Sequence, residues 1–355
     1  MKILYVITGL TLGGAEKVVC TLADEMVKKG HEVKIAYLKG RVEVQPQFKQ
    51  IELIELKLNS PLAFFKASSR YKTLITQFKP DVIHAHMVHA NIFARLNQLY
   101  TGKKFLICSA HNSNEGGALR MLAYKWTDAL SNINTNVSCE ATEALVKKGA
   151  FKSDNVCTMY NGVDLNKFNV QPIAKSSLDK KICLSVGRLN VQKDYFNLIN
   201  AIALLDRKLL SNIEFYIAGE GELRSEIEQH IQALQLNNTI KLLGMRSDIP
   251  ALLNRTDYFI LSSRHEGLPT VLIEAMACQC FVIATDCGGS AEIMGDTGLL
   301  VEKENSTELA KALQYAFALD EQVILENNLK ARQRVENNFS LPQSVNQWLN
   351  LYERK

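Results

Sequence analysis

The sequence has no Cys-x-x-Cys pair, no Asp-x-Asp triplet, no Gly-x-Gly-x-x-Gly run and no apolar stretch of membrane-spanning length. The missing cysteine pairs argue against zinc ribbons and dithiol redox centres, and the eight cysteines are expected as free thiols in a reducing cytosol. Cys278, Cys280 and Cys287 lie close in sequence, but no histidine accompanies them, so small core residues are expected rather than a metal site. Without the glycine run there is no dinucleotide fingerprint. A strong charge of one sign is also lacking: 41 Lys and Arg stand against 37 Asp and Glu. Basic residues are not interleaved with stacking aromatics, so a nucleic-acid partner is not expected. His84, His86 and His89 have no carboxylate or cysteine beside them, and His84 and His86 share one strand face, so a metal site is not expected there either. The opening stretch MKILYVITGL is too short, and too soon followed by Gly and Glu, for a signal peptide; it reads as a first strand.

What is present is a chain of 355 residues, 47% apolar, enough for two domains with sizeable cores. Short apolar runs alternate with helix-like stretches, and the rhythm occurs twice. The first series of strands is expected at residues 2–8, 32–38, 51–56, 81–86, 104–110, 132–138 and 155–160. The second is expected at 181–187, 213–219, 240–244, 257–263, 280–286 and 298–302. Near-continuous apolar strands separated by helices predict parallel sheets covered on both faces. A polar, aperiodic stretch at 161–180, containing Pro172, reads as the linker. The expected domains are therefore 1–165 and 166–338, with a C-terminal helix over 339–355 packing back toward the first domain. Ser340 suits its N-cap, Pro342 its first turn, and Val345, Trp348, Leu349 and Tyr352 its buried face. Residues 1–165 hold 21 Lys and Arg against 14 Asp and Glu, a net of +7, whereas the remainder is net −3. Scattered solvated charge accounts for this as well as an anionic partner does.

In parallel α/β sheets, ligands bind at the carboxyl ends of strands, so the loops there are the places to search. After the first strand, Gly13 and Gly14 precede a helix; paired glycines admit close backbone approach to an anion, though a tight strand-to-helix turn also explains them. His111 follows the strand at 104–110 and points at the ligand edge, or else is a loop histidine bonded to a backbone carbonyl. Gly187, Arg188 and Lys193 place two cations at a strand end beside a helix start, which suits a diphosphate, and the next loop, with Gly219, is again glycine-rich. The stretch RHEGLPTVLIEA sets Glu266 on a loop and Glu274 one turn into a helix starting near Pro269 or Thr270. Two carboxylates can accept from sugar or ribose hydroxyls, and the free N–H groups between them can hold a phosphate; capping by Glu266 and half-exposure of Glu274 is the plainer alternative.

Taken together, GGAE (13–16), VGRLNVQKD (186–194), AGEGE (218–222), LLGMRSDIP (242–250), EGLPTVLIEA (266–275) and the GG at 288–289 resemble the GT4 glycosyltransferases of GT-B fold over essentially the whole chain. The resemblance implies an α/β chain of two Rossmann-like domains with parallel sheets facing an interdomain cleft. It implies retaining transfer from a nucleotide-diphosphate sugar, with the donor held mainly by the second domain and a saccharide acceptor mainly by the first. Arg188 and Lys193 would neutralise the diphosphate. Glu274 would bind the ribose, and Glu266 the sugar hydroxyls near the reacting centre. The backbone from Gly267 and Leu268 through Pro269, Thr270 and Val271 would touch sugar and β-phosphate. Met245 and Arg246 would meet the base, with Gly13, Gly14 and Gly219 lining the phosphate side and His111 near the sugar. A UDP-linked hexose or N-acetylhexosamine follows family habit. No cofactor or metal is expected, because the two cations supply the charge that an Asp-x-Asp-bound ion supplies elsewhere. A nucleotide-sugar 2-epimerase and a non-catalytic sugar-nucleotide binder are the alternatives. The stretches at 60–78 and 118–126 mix aromatics with Lys and Arg, which suits an anionic membrane as well as it suits helices covering a sheet. The expected setting is the cytoplasm or the inner face of its membrane, with a polyprenyl-diphosphate-linked acceptor, in capsule, O-antigen or lipopolysaccharide assembly.

Overall fold

The computed structural model describes residues 1–113, 115–171 and 180–354. Residues 172–179 of the expected linker at 161–180, Pro172 among them, lie outside the described residues. The chain divides into two compact units, Met1–Asn161 with Ser344–Lys355, and Gly162–Gln343. The division falls four residues before the boundary expected from sequence, at the point where Val163 pairs with Ser340 of the returning chain.

The first unit is built on β1 (Lys2–Ile7), β2 (Glu32–Tyr37), β3 (Glu52–Glu55), β4 (Val82–His86), β5 (Leu106–Ser109), β6 (Ile133–Asn136) and β7 (Val156–Thr158). Every pairing is parallel, in the order β3-β2-β1-β4-β5-β6-β7. The second unit has β8 (Lys181–Val186), β9 (Ile213–Ala218), β10 (Ile240–Gly244), β11 (Tyr258–Leu261), β12 (Phe281–Thr285) and β13 (Leu299–Val301), in the order β10-β9-β8-β11-β12-β13. Both orders reverse direction beside the first strand, which is the doubly wound Rossmann pattern, and the whole is a GT-B fold. The central strands are apolar because helices cover both faces: β4, β5, β11 and β12 are buried at every position. All thirteen strands lie where the alternation of apolar runs put them. They stop one or two residues short of several expected ends, because buried residues such as Ser262 and Ser263 continue into the loops.

The C-terminal helix, Leu341–Tyr352, crosses from the second unit into the first. Val345, Trp348, Leu351 and Tyr352 are buried, and Leu349 is half-buried. Leu351 thus takes the position expected of Leu349, since Ser344, Trp348 and Leu351, at i, i+4 and i+7, set the inward stripe. Ser344 Oγ donates to Tyr160 O (2.8 Å), Tyr352 Oη meets Tyr5 Oη (3.1 Å) and His84 Nδ1 (2.7 Å), and the Trp348 ring lies 4.5 Å from that of His84.

Candidate active site

Because each sheet is wholly parallel, all strand carboxyl ends of a unit share one edge. In the second unit that edge carries the loops after β8, β9, β10, β11 and β12, and every candidate residue of that unit is in or directly after one of them. Three contacts tie the Lys193 loop to the Glu266 loop. Lys193 Nζ donates to Glu266 Oε1 at 2.5 Å, Ser262 Oγ donates to Lys193 O at 3.0 Å, and Arg264 N donates to Gln192 O at 2.8 Å. Ser263 Oγ also donates to Glu266 Oε1 (2.7 Å). Asp194, with φ of +46° at the start of the helix Tyr195–Ala203, accepts a forked pair of bonds from Arg264 at 2.7 and 3.2 Å. Such a planar fork fixes orientation as well as distance. Lys193 and Glu266 are both mostly buried, whereas Arg188 is exposed.

The glycines follow from close backbone approach. A Cβ on Gly219, whose φ is +152°, would sit 1.9 Å from Gly187 O. One on Gly288, φ +56°, would sit 2.4 Å from Glu266 O, and Gly289 N donates to Gly267 O at 2.9 Å. The glycine pair therefore packs directly against the Glu266 loop, and at Gly288 no larger residue fits. The helix Thr270–Ala277 has Pro269 at its N-cap position, no side-chain cap bond, and Glu274 half-buried one turn in. Leu272 N donates to Pro269 O at 2.9 Å, and the helix start carries the positive end of the dipole, which favours an anion. Met245 is exposed, and Arg246 is engaged by Asp248 at 2.8 and 2.6 Å. The carboxylate raises the Arg246 pKa, and the guanidinium lowers that of Asp248. A cavity of about 490 Å³ opens beside β13, lined by Asp286, Leu300, Val301, Glu302, Lys303 and Glu304. Three carboxylates against one lysine make it unsuited to a diphosphate.

In the first unit, the helix Gly14–Lys28 starts at Gly14 with Gly13 as N-cap. A Cβ on Gly13 would strike the Glu16 carboxylate, 2.3 Å away, whereas one on Gly14 would meet nothing within 4 Å. At Gly13 a side chain would have to displace the end of the Glu16 side chain; Gly14 leaves open space at the carboxyl edge of β1. His111 lies two residues beyond β5. Among the described residues its ring bonds neither a carbonyl nor a carboxylate: Nε2 is 3.0 Å from His86 Nδ1. Its backbone N–H donates to Glu115 Oε1 at 2.8 Å, and Tyr124 Oη donates to Glu115 Oε2 at 3.1 Å. Burial lowers the His111 pKa to about 4 and raises that of Glu115. His84 and His86 are fully buried and stack with centroids 3.9 Å apart, and burial drives both well below the ordinary histidine value. Among the described residues, no group of three or more His, Cys, Asp or Glu side chains is arranged to hold a metal ion.

Sequence reasoning missed His86 and Glu115 as partners of His111, and Asp194 and Arg264 as partners of the Lys193 loop. The first had a signal: His84 and His86 on one face of a strand next to the one leading into His111. The register pairs His86 with Ser109, two residues before His111.

Two family models divide the sequence between them: Glycosyltransferase Family 4 over residues 12–167 and Glycosyl transferases group 1 over residues 167–338. An uncharacterised glycosyltransferase of Methanocaldococcus jannaschii is 30% identical over 283 residues, covering 73% of this chain and 68% of the relative. The chain belongs to glycosyltransferase family 4. This glycosyltransferase is also 29% identical, over 99% of its length and 98% of the relative's, to a Campylobacter jejuni enzyme. That enzyme is named GalNAc-alpha-(1->4)-GalNAc-alpha-(1->3)-diNAcBac-PP-undecaprenol alpha-1,4-N-acetyl-D-galactosaminyltransferase. An Escherichia coli UDP-Gal:alpha-D-GlcNAc-diphosphoundecaprenol alpha-1,3-galactosyltransferase is 27% identical over 80% of the chain and 78% of the relative. The structure of Anabaena HepE in complex with UDP superposes with a TM-score of 0.86 at 21% identity, covering all of both chains. These comparisons favour the transferase over the epimerase and the non-catalytic binder. No described helix is long and apolar enough to cross a membrane.

Proposed function

We propose that this glycosyltransferase moves a hexose or N-acetylhexosamine from a UDP-sugar to a lipid-linked saccharide, with retention at the anomeric carbon, in bacterial envelope polysaccharide assembly. The observation that carries the reading is the Lys193–Glu266 pair, which joins a diphosphate-binding cation to a hydroxyl-accepting carboxylate at one strand edge. The names of the lipid-linked relatives support the acceptor class, and the UDP complex of HepE supports the base. In this reading the bond from the sugar C1 to the β-phosphate oxygen breaks and a bond from C1 to an acceptor hydroxyl oxygen forms. The hydroxyl proton leaves with the nucleoside diphosphate. Lys193 and Arg188 stabilise the charge that grows on the departing diphosphate, where fixed cations act most strongly. Amides of residues 267–271 hold the β-phosphate and sugar, Glu274 the ribose, and Met245 and Arg246 border the base. Gly14 leaves room for phosphate, and His111 serves the sugar. The first unit holds the acceptor.

No metal is required, since the cations are supplied by the chain. Transfer of labelled sugar from UDP-hexose or UDP-N-acetylhexosamine to a polyprenyl-diphosphate saccharide is expected to proceed in excess EDTA. Abolition by the chelator, with rescue by magnesium or manganese, would contradict metal independence; absence of transfer to any lipid-linked saccharide would contradict the acceptor class.

The acceptor's lipid places the enzyme at the inner face of the cytoplasmic membrane. Two helices, Phe64–Phe78 and Ala118–Thr127, both pack against Val88–Thr101 on one side of the first sheet. Tyr71, Leu74, Ile75 and Phe78 are buried, so the inward face does cover the sheet. Leu62 (92% exposed) just before the first helix, Phe65 (74%) on it, and Leu119 (83%) and Trp126 (74%) on the second face outward instead. Lys66, Arg70, Lys72, Arg120 and Lys125 are exposed around them. Each basic residue near an anionic surface is worth about 1 kcal/mol, an attraction that salt screens. Sedimentation with anionic vesicles is expected at low salt, weakened by high salt and by joint neutralisation of Lys66, Arg70 and Lys72. Protein that stays in the supernatant with every lipid mixture would contradict the membrane setting.

A further inference from the structure

The histidines of the first unit carry one more step, which rests on the reading of His111 as a residue that touches the donor. Two imidazole nitrogens face each other at 3.0 Å, His86 Nδ1 and His111 Nε2, and one of them must carry the proton. Both rings are neutral. His86 stacks on His84 at 3.9 Å, both are fully buried, and no carboxylate bonds either the His86 or the His111 ring among the described residues. A neutral imidazole has one N–H and one bare nitrogen, so the choice at this contact fixes both rings. If His111 donates from Nε2, the His86 proton moves to its own Nε2, which is buried and has no partner. That arrangement strands a donor in the core, a rarer and costlier defect than an acceptor left short of a bond. If His86 donates from Nδ1, the core holds only an unused lone pair.

We infer that His86 is a positioning residue that holds His111 in the neutral tautomer bearing its proton on Nδ1. His111 is half-buried, and its ring has no second bond among the described residues. In this state its lone pair is occupied by His86, so it offers a ligand an N–H and not a base. The backbone bond from His111 N to Glu115 Oε1 holds the loop from the other side. His84 is anchored independently, by Tyr352 Oη at 2.7 Å and Ser109 Oγ at 2.6 Å, so the face against which His86 stacks is itself fixed.

The test is the nitrogen spectrum of the full chain, labelled at histidine, at neutral pH and without nucleotide. Long-range proton–nitrogen couplings report which ring nitrogen is protonated. The expected pattern for His111 is a protonated Nδ1 and a bare Nε2, replaced by a mixture of tautomers in His86→Phe, which keeps a ring but has no nitrogen. A wild-type His111 protonated on Nε2, or on both nitrogens, would overturn the inference, and so would an unchanged His111 signature in His86→Phe. If the variant does not fold, the wild-type spectrum decides alone. Because no donor is present, the result is independent of the reading of the active site. Full turnover by His111→Ala would contradict that reading and leave the tautomer standing.

Discussion

Replacing Lys193 by alanine is expected to lower kcat/KM for transfer by roughly 30- to 1,000-fold, and Arg188→Ala to act in the same direction. Such factors correspond to about 2–4 kcal/mol of transition-state stabilisation, the usual loss when one fixed charge or donor facing a developing anion is removed. The two variants differ in their surroundings. Arg188 is exposed, so its loss removes an attraction that water partly replaces. Lys193 is mostly buried against Glu266, so its removal also leaves that carboxylate with Ser263 Oγ as its remaining side-chain partner among the described residues. An uncompensated, largely buried carboxylate is costly and repels an incoming diphosphate. Lys193→Ala is therefore expected to be the more damaging of the two. A single cooperative unfolding transition in each variant, lowered more in Lys193→Ala than in Arg188→Ala, would show that the fold survives, because the Lys193 loop keeps its backbone bonds and the Asp194–Arg264 fork. Steady-state rates with both variants check the prediction, and near wild-type turnover in both would remove the diphosphate assignment.

Truncating Trp348 to alanine is expected to cost about 3–5 kcal/mol of stability in the first unit, the range for losing a buried Trp or Phe. In a unit of this size that corresponds to a midpoint lower by roughly 6–20 °C. Trp348 is 4% exposed, and its ring packs on His84 and Tyr352 at 4.5 and 6.0 Å. Its neighbour Leu349 is only half-buried, so Leu349→Ala is the matched control and should cost clearly less. Calorimetry of the two variants makes the comparison. Equal losses would mean that the C-terminal helix does not seat its Trp348 face on the first unit.

The architecture was readable because one physical cause produced one visible pattern. Strands covered on both faces must be apolar throughout, and runs such as VIHAH, YFIL and FVIAT stand out against their polar loops. Even so, two buried histidines sit inside one of those runs, and a polar residue type there signals partners in the core rather than a ligand. The loops were readable where a residue type is forced. Gly219 and Gly288 could be nothing else once backbones come within van der Waals distance. The Lys193–Glu266 pair was not readable as a pair, because 73 residues separate its members and only the β8–β11 pairing brings their loops together. The same holds for Asp194 with Arg264, and for His86 with His111. The Trp348 face was legible from helical spacing, yet Leu349 and Leu351 were confused, because spacing alone leaves the rotation of the last turn undetermined. The mixed aromatic and basic stretches concealed two populations, one buried against the sheet and one outward, and composition alone does not separate them.

We propose that the second unit holds the diphosphate of a UDP-sugar through Lys193 and Arg188. Thermal denaturation with a panel of UMP, UDP and UDP-sugars tests it most directly, because a ligand that binds only the folded state raises the midpoint by mass action. UDP and at least one UDP-sugar are expected to raise the wild-type midpoint well beyond UMP, with most of that difference lost in Lys193→Ala. A UMP shift equal to that of UDP, or a UDP shift undiminished in Lys193→Ala, would contradict it.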